Sequence, residues 1–427
     1  MKQPNTKYNM IQEILEKTEA EVSKMNPVNI LIAGKTGVGK STLINNVFRE
    51  KLADTGIGKP VTKHLRRITK EGIPIVLYDT RGLELEQKVQ RQVMKEIFDL
   101  VEKKRNTPEA LHAVYYCIQA NSSRIEDMEI ELIKEISGIL PVILVLTQSI
   151  GKPADEFNSY LENMNLPVAA VQNVMSEPYE IADDYVIPRF GLKQLIEKTL
   201  QLIPKETKEA FTNAQQADIE RKAKAARRWA SRYVATTFGV GFAPIPFSDA
   251  SILVPMQVTL LAHITAIFGI SMDKSTIVSI IAAVGGTGSA TMIGKTVVAN
   301  AFKFIPGAGT IIGGIISGTT ASIVTSALAL SYIEVLSIIA TKEKEGESID
   351  LGLIERLMRS QFQKNLKLNR KELKTKDLEF ENDEALSEAY DTYSEMEGET
   401  SQSVSVPKKV SRAVRNFVKD HLPDRFK

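Results

Sequence analysis

Along the first two hundred residues, apolar and polar positions switch repeatedly between strand-like and helix-like spacing. Residues 28–33 form a short apolar run, and residues 42–48 after them have helical spacing, which predicts a strand followed by a helix. Residues 65–70 and 73–78 read as a strand pair. Residues 111–118, 142–146 and 168–171 read as further strands, with an amphipathic helix over 125–136. A last helix, beginning within 190–196, closes this region near Pro204. Such alternation predicts an α/β domain with a mostly parallel sheet covered on both faces. Ahead of it, Ile11, Ile14, Leu15 and Val22 mark a short amphipathic helix.

The pattern changes after Lys205. Residues 205–232 are helical and basic, with Arg221, Lys222, Lys224, Arg227, Arg228 and Arg232, and Trp229 and Tyr233 lie beside them. Residues 233–247, 250–272, 275–294 and 304–333 then contain no Asp, Glu, Lys or Arg. Two of these runs approach the ~20 residues that span a bilayer, and a basic, aromatic flank suits a membrane interface. A buried helical bundle is the other reading. Gly313, Gly314, Gly318, Ala321 and Ser322 permit close helix packing in either solvent, and Pro244, Pro246 and Pro255 interrupt straight spans. Asp249 and His263 suit satisfied core polar groups better than ligands. Residues 351–368 read as one more amphipathic helix. Charge between 377 and 399 is acidic, a linker composition, and a basic amphipathic piece follows. There Lys408, Lys409, Arg412, Arg415 and Lys419 oppose an apolar face. That piece suits docking on a membrane surface, packing back on the protein, or a solvated tail.

The chain of 427 residues has room for two or three domains. The pattern divides it into an amphipathic helix (1–26), an α/β domain (27–205), an all-α apolar domain (206–370), and an acidic linker with a basic C-terminal helix (371–427). A net charge of +2 gives no reason to expect a nucleic-acid partner. The single cysteine excludes a disulfide framework and suits a reducing cytosol, and residues 1–26 do not read as a signal peptide.

The candidate chemistry lies between the first strand and its helix. Gly34, Lys35, Thr36, Gly37, Val38, Gly39, Lys40 and Ser41 match G-x-x-x-x-G-K-[ST] in full, followed by Thr42. Glycines let such a loop turn its N–H groups onto phosphate oxygens, and the helix adds its positive end. Lys40 is expected on the β- and γ-phosphates and the Ser41 hydroxyl on Mg²⁺. Asp79, Thr80, Arg81 and Gly82 form D-x-x-G directly after a strand. In that position Asp79 is expected to hold Mg²⁺ through water and the Gly82 N–H to sense the γ-phosphate, unless Asp79 only caps a turn. The polar segment 54–62 sits where a switch loop belongs, unless it is a plain surface loop. Thr62, or failing that Thr55, would close onto the metal.

The run from Gly34 to Asn45, the switch at Pro60, Val61 and Thr62, and Asp79 to Leu83 resemble Era-like GTPases of the TrmE–Era–septin class. Residues 115–118 followed by Ser123, Arg124, Ile125 and Glu126 resemble the branch near immunity-related GTPases. The resemblance covers roughly 27–204. It implies GTP and GDP as ligands with Mg²⁺, and nucleotide-dependent homodimers are compatible with it. Three departures stand out. The family's guanine reader, [NT]-K-x-D, is replaced by Thr147, Gln148, Ser149 and Ile150, which puts base selection in doubt. Leu83 follows Gly82 where a water-orienting glutamine stands in Ras-like enzymes, which implies slow hydrolysis or a non-hydrolysing scaffold. Gly37 holds the fourth loop position, where potassium-activated relatives carry Asn. Residues 243–249, Gln257 and residues 305–309 resemble a helical domain of unknown function found behind Era-like GTPases and described as membrane-associated. Together these features predict a cytoplasmic GTP-hydrolysing switch held at a membrane through 233–340. The alternative is a nucleotide-gated scaffold whose soluble bundle binds a protein partner.

Overall fold

The structure is a computed structural model, which describes residues 10–80, 87–182, 185–238, 250–270, 274–285, 318–347 and 349–372. Arg81, Gly82, Leu83, the 243–249 and 305–309 motifs and the tail beyond 372 lie outside the described residues.

The central strand β1 (Val28–Ala33) is buried at every position, as a strand covered on both faces must be. Its side chains alternate. Leu31 and Ala33 join one core with Tyr78, Tyr116, Val93 and Ile133, while Ile30 and Ile32 join another with Leu43, Ile44, Val47 and Phe211. The remaining strands are β2 (Ile57–Pro60), β3 (Leu65–Thr69), β4 (Ile75–Thr80), β5 (Ala113–Gln119), β6 (Val142–Thr147) and β7 (Ala170–Asn173). They form one sheet in the order β2-β3-β4-β1-β5-β6-β7. Only β3 runs against the other strands, antiparallel to both β2 and β4, so the sheet is mostly parallel, as the alternation predicts.

Helices α2 (Lys40–Val47), α3 (Leu52–Thr55), α4 (Gln87–Lys104), α5 (Asp127–Ser137), α6 (Gly151–Asn163) and α7 (Leu192–Leu202) belong to this layer structure. The segment 54–62, read as a polar loop, is built instead as the end of α3 and the edge strand β2. Backbone pairing with β3 accounts for this, because β2 itself is largely exposed and polar. Neither α4 nor α6 follows from the sequence pattern read above, and nor does a hairpin of β8 (Tyr179–Ala182) and β9 (Tyr185–Ile187), which exposes Tyr179, Ile181, Tyr185 and Val186.

The second module is helical: α8 (Lys208–Ala214), α9 (Ile219–Phe238), α10 (Ala250–Phe268), α11 (Lys274–Gly285), α12 (Gly318–Glu345) and α13 (Leu351–Glu372). The N-terminal helix α1 (Met10–Lys24) packs into it, with Ile11 and Ile14 buried among the apolar residues of α9, α10, α12 and α13. Lys17 donates to Thr259 Oγ1 at 3.0 Å, and Thr18 to the Ala262 carbonyl at 3.3 Å. Among the described helices, α12 is long and apolar enough to cross a membrane. Yet 83% of its apolar window is buried inside the protein. It carries buried Ser331 and Glu334, both hydrogen-bonded by Asn365 of α13.

Candidate functional site

The phosphate loop joins the C-terminal end of β1 to α2, at the middle of the sheet. Gly34 is required by space: a Cβ there would run into the Cys117 carbonyl oxygen of β5, and the backbone is at φ +138°. Gly39 precedes α2 at φ +92°, a conformation that a side chain resists. The Lys40 ammonium lies over the loop, donating to the Gly34 and Lys35 carbonyls at 2.8 Å each. Ser41 is the next residue of α2, so its hydroxyl lies in the helix's first turn, beside the positive end of the dipole. Thr42 follows on the same turn, and Thr36, Gly37 and Val38 form the loop between.

Asp79 belongs to the same end of the sheet, because β4 pairs in parallel with β1 and sets Asp79 opposite Ile32. Cys117 reports the two charges around it. Burial pushes its thiol up to about 12, the positive charge of Lys40 opposes that, and the negative charge of Asp79 adds to it. The hydroxyl of Ser41 and the carboxylate of Asp79 are hard oxygen donors of the kind that suit Mg²⁺. Gly82 lies outside the described residues.

Thr62 lies in the turn between β2 and β3. Its hydroxyl donates to Glu96 of α4 and accepts from the backbone N–H groups of Leu65 (3.0 Å) and His64 (3.3 Å). One donor and two acceptor sites are the full capacity of a hydroxyl. Glu96 also meets His64 Nδ1 at 3.0 Å. Burial raises the Glu96 carboxyl, but the hydrogen bonds from Thr62 and His64 and the nearby His64 ring outweigh it and hold it below the ordinary range. Sequence spacing gives no hint of Glu96, since it acts across 34 residues.

Lys35 is in the loop by its backbone alone. Its ammonium reaches Glu126 at 3.0 Å and Glu129 at 3.1 Å. These two carboxylates form the capping box that starts α5. Burial lowers the Lys35 pKa, but the hydrogen bonds to Glu126 and Glu129 prevail and leave it raised. The Glu126 that carries part of the sequence resemblance is therefore a brace on the phosphate loop.

At the other side, the Thr147 hydroxyl donates to the Val38 carbonyl and also contacts the Ile118 carbonyl at 3.2 Å. Gln148, at φ +50°, lies beside Gly39 and accepts from Gln119 Nε2 at 2.9 Å. Ser149 is tied to the turn through the Leu146 carbonyl at 2.8 Å. Nearby, Asn173 at the end of β7 accepts from Asn158 at 2.7 Å and donates to Asp155 at 3.3 Å. The structure thus gathers Lys40, Ser41, Asp79, Thr147 and Gln148 around one loop, and ties Thr62 to α4.

A phosphate loop at the end of a central parallel strand, backed by an aspartate-bearing neighbour strand, defines a P-loop GTPase fold followed by a helical region. Residues 29–148 match the family model for 50S ribosome-binding GTPases. Among curated proteins, the chain is 26% identical over 191 residues to Translocase of chloroplast 90 of Arabidopsis thaliana, covering 38% of this chain and 24% of that one. It is 25% identical over 169 residues to neuronal-specific septin-3 of Danio rerio, covering 33% and 47%. The chain thus spans from a quarter to about half the length of these relatives. Among solved structures, a probable GTP-binding protein engB aligns with a TM-score of 0.30 at 16% identity, covering 41% of this chain and 98% of that one. Toc33 of Arabidopsis thaliana in complex with Mg²⁺ and GMPPNP gives 0.27 at 17%, covering 49% and 95%.

Proposed function

We propose that the protein binds GTP with Mg²⁺ at residues 34–42, hydrolyses it slowly, and acts as a nucleotide-controlled switch at a membrane. The observation that carries the nucleotide reading is the position of Lys40. Its ammonium rests on the Gly34 and Lys35 carbonyls, inside the loop that a triphosphate would occupy. Lys40 neutralises charge on the β- and γ-phosphates, and loop N–H groups hold their oxygens. Ser41 and Asp79 hold the metal, Asp79 through water. Bound there, Mg²⁺ would supply neutralisation of the phosphate charge. Thr62 joins that set only by giving up at least one of its bonds to Glu96, His64 and Leu65, so the switch is an exchange of partners. Gly82 senses the γ-phosphate. Leu83, which cannot orient a water, keeps the rate low.

Multiple-turnover phosphate release tests the enzyme reading. Slow release that disappears in Lys40→Ala is expected. Nucleotide binding without Lys40-dependent release, with or without lipid, would leave a non-hydrolysing scaffold.

Membrane action is supported by the charge-free runs within 233–340 and by the length of α12. A specific observation favours a second reading of the module. In it α12 is enclosed by α9 and α13, whose outer faces are charged, which suits a water-exposed bundle that binds a protein partner. Liposome flotation of the full chain with a GTP analogue or GDP separates the two. Recovery with lipid that depends on the nucleotide supports the membrane switch; recovery in the soluble fraction in every state supports the bundle.

A further inference from the structure

The last carbonyls of an α-helix have no partner inside the helix and must find one elsewhere. In α2, the Ile44 carbonyl accepts from the Phe48 N–H at 2.9 Å. Two of the next three carbonyls are met from far along the chain: Gln216 Nε2 donates to the Asn45 carbonyl, 171 residues away, at 2.7 Å, and the Gln216 backbone N–H to the Val47 carbonyl at 2.8 Å. The neighbouring residues extend the joint. Gln215 forms an antiparallel bridge with Phe48, and the Phe48 ring meets Phe211 edge-on at 6.1 Å. Arg49 donates to Asn213 Oδ1 at 3.0 Å. Asn213 in turn donates to the Ala266 carbonyl of α10 and accepts, at its own carbonyl, from Lys222 Nζ of α9 at 2.8 Å. Lys222 is fully enclosed and also reaches the Phe268 carbonyl at the end of α10.

Helix α2 has eight residues and so is about 12 Å long. Its first two residues are Lys40 and Ser41; its last turn is held by Gln216, whose next helix is α9 of the helical module. A helix this short moves as one body. We infer that Gln216 is a positioning residue for the nucleotide site: it fixes α2 from behind, so that nucleotide affinity and the packing of the helical module depend on each other. The inference rests on the GTP binding proposed above.

Two variants of opposite chemistry test it in the full-length protein. Gln216→Glu keeps the shape but replaces the donor with an acceptor facing the Asn45 carbonyl. Gln216→Lys keeps a donor of similar reach. Equilibrium titration with a fluorescent GTP analogue should show Gln216→Glu weakened about 10-fold and Gln216→Lys within about twofold of the parent. In turnover, KM should rise with kcat nearly unchanged, because the lost contact serves bound substrate and transition state alike. Linkage is reciprocal, so the analogue should slow amide hydrogen exchange of residues 211–222 in the unaltered protein by about threefold or more. That last measurement decides the matter should Gln216→Glu fail to fold. A Gln216→Glu protein that melts earlier but binds nucleotide as tightly as the parent would overturn the inference, as would unchanged exchange at 211–222 on saturation. If the parent itself binds no nucleotide, the proposed function fails, which is a separately visible result.

Discussion

The hydroxyl of Thr147, the last residue of β6, is hydrogen-bonded to the carbonyl oxygen of Val38 inside the phosphate loop. The side of the sheet expected to meet the base is thereby tied to the loop expected to meet the phosphates. Replacing Thr147 with Val should remove this bond and the contact with Ile118, and weaken nucleotide binding about 5- to 10-fold. Thr147→Ser, which keeps the hydroxyl, should bind within about twofold of the parent. Direct titration of both variants checks this; weakening by Thr147→Ser with none by Thr147→Val would assign the effect to the methyl group, which Val keeps and Ser loses.

Base selection should be looser than in a site built around a carboxylate. Gln148 sits next to Gly39 with its amide oxygen engaged by Gln119, and Ile150 brings no charge. A site that hydrogen-bonds its substrate fully can reject an analogue by about 10⁴-fold. Competition between GTP and ATP should give a preference below about a thousandfold. A larger ratio would point to another selector, with Asp155 and Asn173 as the groups to replace next.

Much of this arrangement was legible in the chain, and the limits of that legibility have physical causes. The strand 28–33, the loop 34–41 and the aspartate at 79 are local patterns, and each appears where its pattern predicts. The pairing of Lys35 with Glu126 and Glu129, and of Thr62 with Glu96, depends on how the sheet brings distant segments together, so no local period encodes it. Helix α6 carries a signal of its own, with Ala154, Phe157 and Leu161 at helical spacing, although Pro153 stands inside its first turn. The β8–β9 hairpin was obscured because its large apolar side chains face outward. The helix within 1–26 was expected from its apolar stripe, but only the fold shows that the stripe belongs to the second module.

The Lys35 brace should stabilise the folded domain in a defined pH window. Hydrogen bonding to Lys35, with its nearby charge, lowers the Glu126 carboxyl below its ordinary 4.5, so its contribution is present above that value and is lost as pH falls through the folded pKa. Lys35 is raised above 10.5, so its share persists below that value and is lost as pH rises past the folded pKa. Lys35→Met should therefore cost about 1 kcal/mol in urea unfolding between pH 6 and 9, with the difference shrinking below pH 4.5. A difference that is constant down to pH 3 would contradict the ion-pair account.

Cys117 is the only cysteine and is fully buried behind Gly34, so it is a built-in probe of the domain. Burial keeps its thiol protonated up to about 12, whereas the unfolded thiol ionises near 9.0. Between those values the folded state holds the proton that the unfolded state releases, so this group makes stability fall as pH rises. At pH 8, an aromatic disulfide reagent should react with Cys117 only as fast as the domain opens, and saturating nucleotide should slow that reaction. Rapid labelling of the native protein, at the rate of an exposed thiol, would be inconsistent with the packing around Gly34.

The central claim, that Lys40 makes the loop a nucleotide site, is tested most directly by calorimetric titration of GTP with Mg²⁺ into the full-length protein and into Lys40→Ala. The parent should give a saturable single-site isotherm, and the variant, folded to the same extent, should lose about 100-fold or more in affinity. Equal affinity in the two proteins, or no heat of binding from the folded parent at millimolar GTP, would contradict the account.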